Sequence, residues 1–263
     1  MILQNIPKSN LDLGFIKIHL YGIIYAISFL LVYVLTEKNI EKKNVKLAAS
    51  DNDSIGLLGL LFFSSIVTAR LFYVFVYWGT DFLVAPLEIF KIWNGGMSYH
   101  GGLIGAVLAL IIYTKTYKLS FRLIADAIVP ALPVAFLLGR IGHFFNGEMW
   151  GRVTNGTWGV IFIQSAEIPV PRHPVQLYEA LFEGIILFLI LFALNKKDLP
   201  KGQLFSIFLI ISGIFRFITE FFREPDVQVG YLFSFLTMGQ VLSIPVIIAG
   251  IITFFMFNKK PVR

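Results

Sequence analysis

Seven apolar stretches separated by polar intervals make up about half of the chain, at approximately 18–35, 54–78, 97–114, 123–138, 175–194, 204–222 and 238–257. A helix needs about 20 apolar residues to cross a hydrocarbon layer, and these stretches lie at or near that length. The intervals between them differ in charge. Thirteen of the 22 basic residues fall in alternate intervals: Lys38, Lys42, Lys43, Lys46, Lys115, Lys118, Arg122, Lys196, Lys197, Lys201, Lys259, Lys260 and Arg263. Basic loops stay on the cytoplasmic side, so the pattern predicts seven transmembrane helices with the N-terminus outside and the C-terminus in the cytoplasm. The longest polar interval, 139–174, then lies outside, between helices 4 and 5. The fold class predicted is an all-α integral membrane protein, a single domain over 1–263.

Composition agrees. The 263 residues are 57% hydrophobic and 14% charged, with a mean hydropathy of +0.77, outside the range of soluble domains. The net charge of +6 is clustered between apolar runs and not interleaved with aromatic residues, which argues against a nucleic-acid partner. No cysteine is present, so a disulfide, a thiolate metal site and an enzymic thiol nucleophile are all excluded. Any sulfur nucleophile must come from a substrate. The first apolar run lacks a short basic leader and an A-x-A cleavage pattern, and reads as a retained span. No internal repeat is visible.

Polar residues interrupt this scheme at one place above all. Gly139 to Thr154 holds two arginines, a histidine, an asparagine, a glutamate and four glycines directly after an apolar run that Pro130 and Pro133 should kink. Glycine lets backbone amides approach a ligand, and the arginine fork suits phosphate, so an anionic headgroup is the ligand this composition suggests. The alternative is a re-entrant turn whose charges pair with one another. A hairpin is expected around Asn155-Gly156.

Under the predicted topology Tyr21, Arg70, His100, Arg140, His143, Asn146, Glu148, Arg152, His173, Glu179, Arg216, Glu220 and Arg223 gather toward the outer side. Arg70, Arg140 and Arg216 lie within or beside apolar runs, at about 3 kcal/mol each on insertion scales. A shared anion would offset that cost, and so would Glu148, Glu179 and Glu220. Arg216 and Glu220 stand four residues apart, on one helical face, a spacing that serves structure as readily as catalysis. Glycine pairs flank His100, which suggests exposed, flexible backbone and either a general base or a hydrogen-bonding role. Tyr21 serves the site or anchors the interface. His19 and His173 sit where a structural hydrogen bond is expected. The histidines lack metal-ligand spacing, and neither a metal nor a cofactor is predicted.

Five segments together carry a resemblance. They are Gly-Gly-Met-Ser-Tyr-His-Gly-Gly-Leu-Ile-Gly at 95–105, the motif at 139–154, Arg-His-Pro-Val-Gln-Leu-Tyr-Glu-Ala at 172–180, Phe-Arg-Phe-Ile-Thr-Glu-Phe-Phe-Arg-Glu-Pro-Asp at 215–226 and Met-Gly-Gln-Val-Leu-Ser-Ile-Pro at 238–245. As a set, and in this order, they resemble the bacterial prolipoprotein diacylglyceryl transferases. The resemblance implies a multi-pass enzyme of the bacterial inner membrane with its active site toward the periplasm. Such an enzyme moves the diacylglyceryl group of phosphatidylglycerol onto the lipobox cysteine of a preprolipoprotein signal peptide, forms a thioether and releases glycerol 1-phosphate. It implies that Arg140 binds phosphatidylglycerol and that Arg216 is a second essential arginine. His100, Tyr21, Asn146, Glu148, Gly151 and Glu220 match further motif positions. His143 stands where the family pattern Gly-Arg-x-Gly-Asn-Phe has asparagine.

The chemistry fits the residues. A cysteine of pKa near 8.5 is a weak nucleophile at neutral pH unless a base or positive field ionises it. The leaving group is a phosphate monoester, whose growing charge arginines stabilise. The expected roles are Arg140 as lipid-phosphate anchor, Arg216 on the departing phosphate with Glu220 orienting it, and His100 as acceptor of the thiol proton. Two other classes compete. A lipid or anion transporter would place arginines at depth but more often shows repeated halves. A seven-span receptor-like protein leaves the glycine-rich motifs unexplained.

Overall fold

The computed structural model describes residues 2–4, 10–12, 17–47, 54–79, 81–92, 95–162, 170–225 and 228–258. Helices dominate. They are α1 (Leu20–Lys42), α2 (Ser54–Tyr73, prolonged by a π-helical turn at Val74–Trp78), α3 (Tyr99–Thr116), α4 (Phe121–Ile128), α5 (Leu132–Asn146), α6 (Val175–Glu179), a π-helical segment (Ala180–Ile186), α7 (Leu187–Leu194), α8 (Gln203–Thr219) and α9 (Met238–Asn258). Short strands accompany them: β1 (Ile2–Gln4), β2 (Asn10–Asp12), β3 (Lys17–His19), β4 (Val160–Phe162), β5 (Tyr231–Leu232) and β6 (Leu236–Thr237). They pair β1 with β4, β2 with β3 and β5 with β6. Tyr21 lies on the first turn of α1, and its side chain falls outside the described residues, as do Trp93, Asn94, Asp226, Lys259, Lys260 and Arg263.

Each predicted apolar stretch is helical over most of its length. Gly22–Lys42, Ser54–Trp78, Val175–Leu194 and Met238–Asn258 are long and apolar enough to cross a membrane. Phe121–Ile128 and Leu132–Asn146 meet at 42° and supply a fifth span if the bent pair is one crossing, while Gln203–Thr219 is a shorter apolar helix. The bend sits where Pro130 and Pro133 remove amide donors, as the sequence predicts. Large apolar side chains such as Leu30, Phe63, Leu189 and Phe255 remain exposed, as a lipid-facing surface requires.

The core lies between the helices, where Leu57, Leu110, Ile124, Leu187, Leu191, Leu204 and Phe208 are buried together. α2 packs along α3, α8 along α9, and α5 against both α1 and the π-helical segment. At the α2–α3 contact, a Cβ on Gly105 would meet the Thr68 side chain and the carbonyl of Ser64. Small residues a turn apart permit this close approach, since in lipid helices associate through packing. At the lysine-rich end the Asp126 carboxylate accepts the amides of Gly202 (2.6 Å) and Phe205 (2.8 Å), capping the start of α8.

Two expectations need correction. The sequence places Gly139 at the start of an outside loop, but α5 continues through Arg140 and His143 to Asn146. Gly139 and Gly142 are tolerated inside the helix. It ends at Gly147, whose left-handed backbone (φ 64°) turns its amide back to the carbonyls of His143 and Phe144. The segment beyond it also differs from a simple hairpin about Asn155-Gly156. Val153 and Val160 both bridge Arg172, and the chain turns through Gly156–Gly159.

Candidate functional site

Four helical segments each bring charge to one buried point. α5 brings Arg140. α6 brings Glu179, and the π-helical segment that continues it brings Glu183. α8 brings Arg216 and, at its end, Glu220; Arg223 follows on the next turn. Arg140 Nη1 lies 3.1 Å from Glu179 Oε2, and Nη2 lies 3.4 Å from Glu183 Oε2. Arg216 pairs directly with Glu179 and with Glu220, and Nη1 reaches Glu183 Oε1 at 3.9 Å. Arg223 stands 3.8 Å from both Glu179 and Glu220. The side chains of Glu179 and Glu183 are 1% exposed. Water therefore does not share the cost of holding these charges, and the pairing must.

The cluster forms part of a wall. A cavity of about 400 Å³ is lined by His100, Arg140, Arg216, Glu220 and Arg223, with Tyr73, Tyr99, Met149, Trp150, Glu224 and Gln228. Glu179 and Glu183 do not line it; they back the arginines from behind. Arg216 also lies 5.7 Å from the centre of the Tyr99 ring.

His100 is buried on the first turn of α3, and so is neither exposed nor on flexible backbone as the flanking glycines suggest. Ser98 caps the helix by accepting the Gly101 amide at 3.3 Å. A Cβ on Gly101 would strike Phe72, so that glycine serves packing against α2. His100 Nε2 lies 3.4 Å from Ser243 Oγ on α9.

Asn146, Glu148 and His143 form a second group. His143 Nδ1 is 3.0 Å from Glu148 Oε1, and Asn146 Nδ2 donates to the same oxygen at 3.3 Å. Gln176 Nε2 donates to the Glu148 carbonyl at 2.6 Å. These three are not among the residues that line the cavity, and Glu148 pairs with His143. The knot instead holds the turn that delivers Met149, at a left-handed φ of 59°, and Trp150 to the cavity wall. Gly151 follows. Its amide donates to the His173 carbonyl at 2.9 Å, and a Cβ would run into the carbonyls of Phe222 and His173 and the Val175 side chain.

Arg70 leaves the group of deep arginines expected to share an anion. Its Nε donates to the Ile89 carbonyl at 3.2 Å, and its two terminal nitrogens to the carbonyls of Glu88, Gly95 and Gly96. Four carbonyls satisfy the fork, so Arg70 pins the segment before Ser98. His173 has the expected structural hydrogen bond, Nδ1 to Tyr178 hydroxyl at 3.1 Å. Burial and the neighbouring Arg152 guanidinium push its imidazole below the usual histidine range.

Sequence reasoning passed over three contributors. Glu183, one turn from Glu179, is as deeply placed as its neighbour. Ser243 contacts His100. Thr237, just before α9, donates to Glu220 Oε2 at 2.9 Å. Among the described residues, no group of three or more histidine, cysteine, aspartate or glutamate side chains is arranged to hold a metal ion.

Apolar helices of spanning length around a buried arginine–carboxylate cluster beside a cavity define a helical membrane protein with a charged internal site. The family model for prolipoprotein diacylglyceryl transferase matches residues 8–256. The chain belongs to that family, and it is accordingly a transferase. Relatives named phosphatidylglycerol–prolipoprotein diacylglyceryl transferase agree over nearly their full length. The protein from Geobacter sulfurreducens is 40% identical over 250 residues, covering 95% of each chain. That from Aeromonas salmonicida is 40% identical over 260 residues, 99% of this chain and 93% of the relative. That from Coxiella burnetii is 41% identical over 242 residues, 90% of each.

Proposed function

We propose that this chain transfers the diacylglyceryl group of phosphatidylglycerol to the lipobox cysteine of a preprolipoprotein, forming a thioether and releasing glycerol 1-phosphate. This is the first step of bacterial lipoprotein maturation. The observation that carries the reading is that Arg140, Arg216 and His100 line one cavity. The chain is a seven-helix, single-domain enzyme of the inner membrane, N-terminus periplasmic, C-terminus cytoplasmic, with the cavity toward the periplasm. In support, Lys42 donates to the Asn195 carbonyl at 3.3 Å, joining two lysine-rich intervals at one end of the bundle.

Arg140 anchors the lipid phosphate. Arg216, clamped between Glu179 and Glu220, faces the phosphate as it departs, so its fork needs no reorganisation when charge develops there. Glu220 orients that fork. The substrate thiol attacks the glycerol carbon that bears the phosphate ester; the carbon–oxygen bond breaks, and its electron pair leaves with the phosphate. His100 accepts the thiol proton, with Ser243 holding its ring. His143, Asn146 and Glu148 fix the turn bearing Met149 and Trp150 at the substrate wall, Gly151 lets that turn pack closely, and Tyr21 serves the same site from α1.

The test is direct. The purified chain, phosphatidylglycerol and a lipobox peptide are incubated, and the peptide mass is followed. A diacylglyceryl gain on the cysteine peptide, absent from its Cys→Ser counterpart, is expected. No gain with folded protein across several anionic lipids would return the reading to a transporter.

A further inference from the structure

Counted as ionised groups, the cluster holds three arginines, Arg140, Arg216 and Arg223, against three glutamates, Glu179, Glu183 and Glu220. It is neutral before any lipid arrives. A phosphodiester brings one negative charge to the arginine face of this site, and an uncompensated charge is costly where water is excluded. A proton taken up by one of the carboxylates would remove that cost.

The three carboxylates are not equivalent. Glu220 lines the cavity, pairs with Arg216 and accepts the Thr237 hydroxyl. Glu179 bridges Arg140 and Arg216 and has Arg223 beside it. Glu183 is the most loosely held. Its contacts to the arginines are 3.4 and 3.9 Å; Glu183 Oε1 and Glu179 Oε2 both lack a hydrogen-bond partner among the described residues, but Glu179 Oε2 has Arg140 at 3.1 Å whereas Glu183 Oε1 has Arg216 only at 3.9 Å. The groups that face it are Arg140 from α5, Arg216 from α8, Tyr99 from α3 and Glu179 on its own helix. A phosphate drawn toward Arg140 and Arg216 weakens the ion pairs that, among the described residues, keep Glu183 charged.

We propose that Glu183 takes up one proton when the lipid phosphate binds, so that loading the site is proton-coupled and Glu183 is the positioning residue that frees Arg140 for the phosphate. The inference rests on the proposed binding of phosphate at Arg140. It concerns binding alone: one proton moves from solvent to a Glu183 carboxylate oxygen, and no covalent bond changes.

The experiment titrates short-chain phosphatidylglycerol into the detergent-solubilised full chain, in buffers of differing ionisation enthalpy, between about pH 6 and about pH 8. Calorimetry in such buffers counts protons directly. Wild type should take up close to one proton per lipid, with affinity rising as pH falls, by at most about tenfold per pH unit. Diacylglycerol, which lacks the phosphate, should take up none. Glu183→Gln carries a neutral isostere and should bind without proton uptake, lose the pH slope and hold the lipid at least as tightly as wild type at the alkaline end. Binding without proton uptake in wild type, or a pH slope that survives in Glu183→Gln, would overturn the proposal. Absence of proton uptake in wild type overturns the proposal even if Glu183→Gln misfolds, and Glu183→Asp, which keeps a titratable carboxylate, should retain the uptake and the pH slope. Arg140→Ala separates the two levels: unchanged affinity there overturns the underlying phosphate assignment, whereas lost affinity with no proton uptake in wild type overturns only the role of Glu183.

Discussion

The Thr237 hydroxyl donates to Glu220 Oε2 across 2.9 Å, and Thr237 Oγ1 itself accepts the amide of Gln240 at 3.2 Å. Gln240 Oε1 returns a bond to the Thr237 amide at 3.0 Å. The pair is a capping box at the start of α9, with the capping hydroxyl turned to the ion cluster as well. One residue thus joins the stability of a spanning helix to the carboxylate that orients Arg216. Thr237→Val should lower stability by about 1–2 kcal/mol and slow transfer, while Thr237→Ser should retain both. Thermal unfolding and initial rates check this; a valine variant indistinguishable from wild type would contradict it.

Glu179 holds two arginines at once. Glu179→Ala leaves Arg140 and Arg216 short of their shared partner in a dry site, and the expected loss is about 3–5 kcal/mol. Glu179→Gln keeps the volume and an acceptor oxygen and should lose less. Denaturation of the detergent-solubilised variants measures the difference, and equal loss in both would mean that the retained volume and acceptor oxygen contribute nothing and that the carboxylate charge accounts for the whole loss.

For the departing phosphate the arginine fork matters as well as its charge. A lysine at 216 cannot address Glu179, Glu220 and a phosphate together. Arg216→Lys should therefore lower the transfer rate by about 10²-fold while lipid affinity, set by Arg140, changes much less. Steady-state kinetics with separate lipid binding resolve the two, and full turnover in the lysine variant would refute the assigned role.

His173 makes a prediction about pH. Its imidazole is pushed below the ordinary value by burial and by Arg152. The folded state therefore binds fewer protons than the unfolded state near and below that value, and stability rises with pH through this range. The contribution is present in full above the unfolded-state value and is lost as pH falls below it. His173→Gln should flatten that part of the unfolding profile measured from about pH 5 to about pH 7. An unchanged profile would remove His173 from the account.

Apolar length and basic clustering made the helices legible, and two prolines made the bend between α4 and α5 legible. The end of α5 was not. Gly139 and Gly142 look like loop residues, but helix continuation is decided by the left-handed turn at Gly147 and by packing of the helix. The Arg216–Glu220 pair followed from i, i+4 spacing alone. Glu183 was visible as a polar residue in an apolar run, yet its meeting with Arg140 depends on how α5 and the π-helical segment cross, which spacing does not state. Arg70 shows the reverse failure: a deep arginine looked like an anion ligand, and its partners proved to be carbonyls that carry no sequence signature. Glu148, assigned by charge to the arginines, pairs locally with His143 because a tight turn sets them side by side.

The measurement that tests the account most directly follows glycerol 1-phosphate release and peptide mass together, for wild type, Arg140→Lys and Arg140→Ala, with phosphatidylglycerol and a lipobox peptide. The account predicts one glycerol 1-phosphate per diacylglyceryl gained in wild type, a partial loss in the lysine variant, and a loss of at least about 10²-fold in the alanine variant with the fold intact. Transfer at the wild-type rate by a folded Arg140→Ala protein would contradict it.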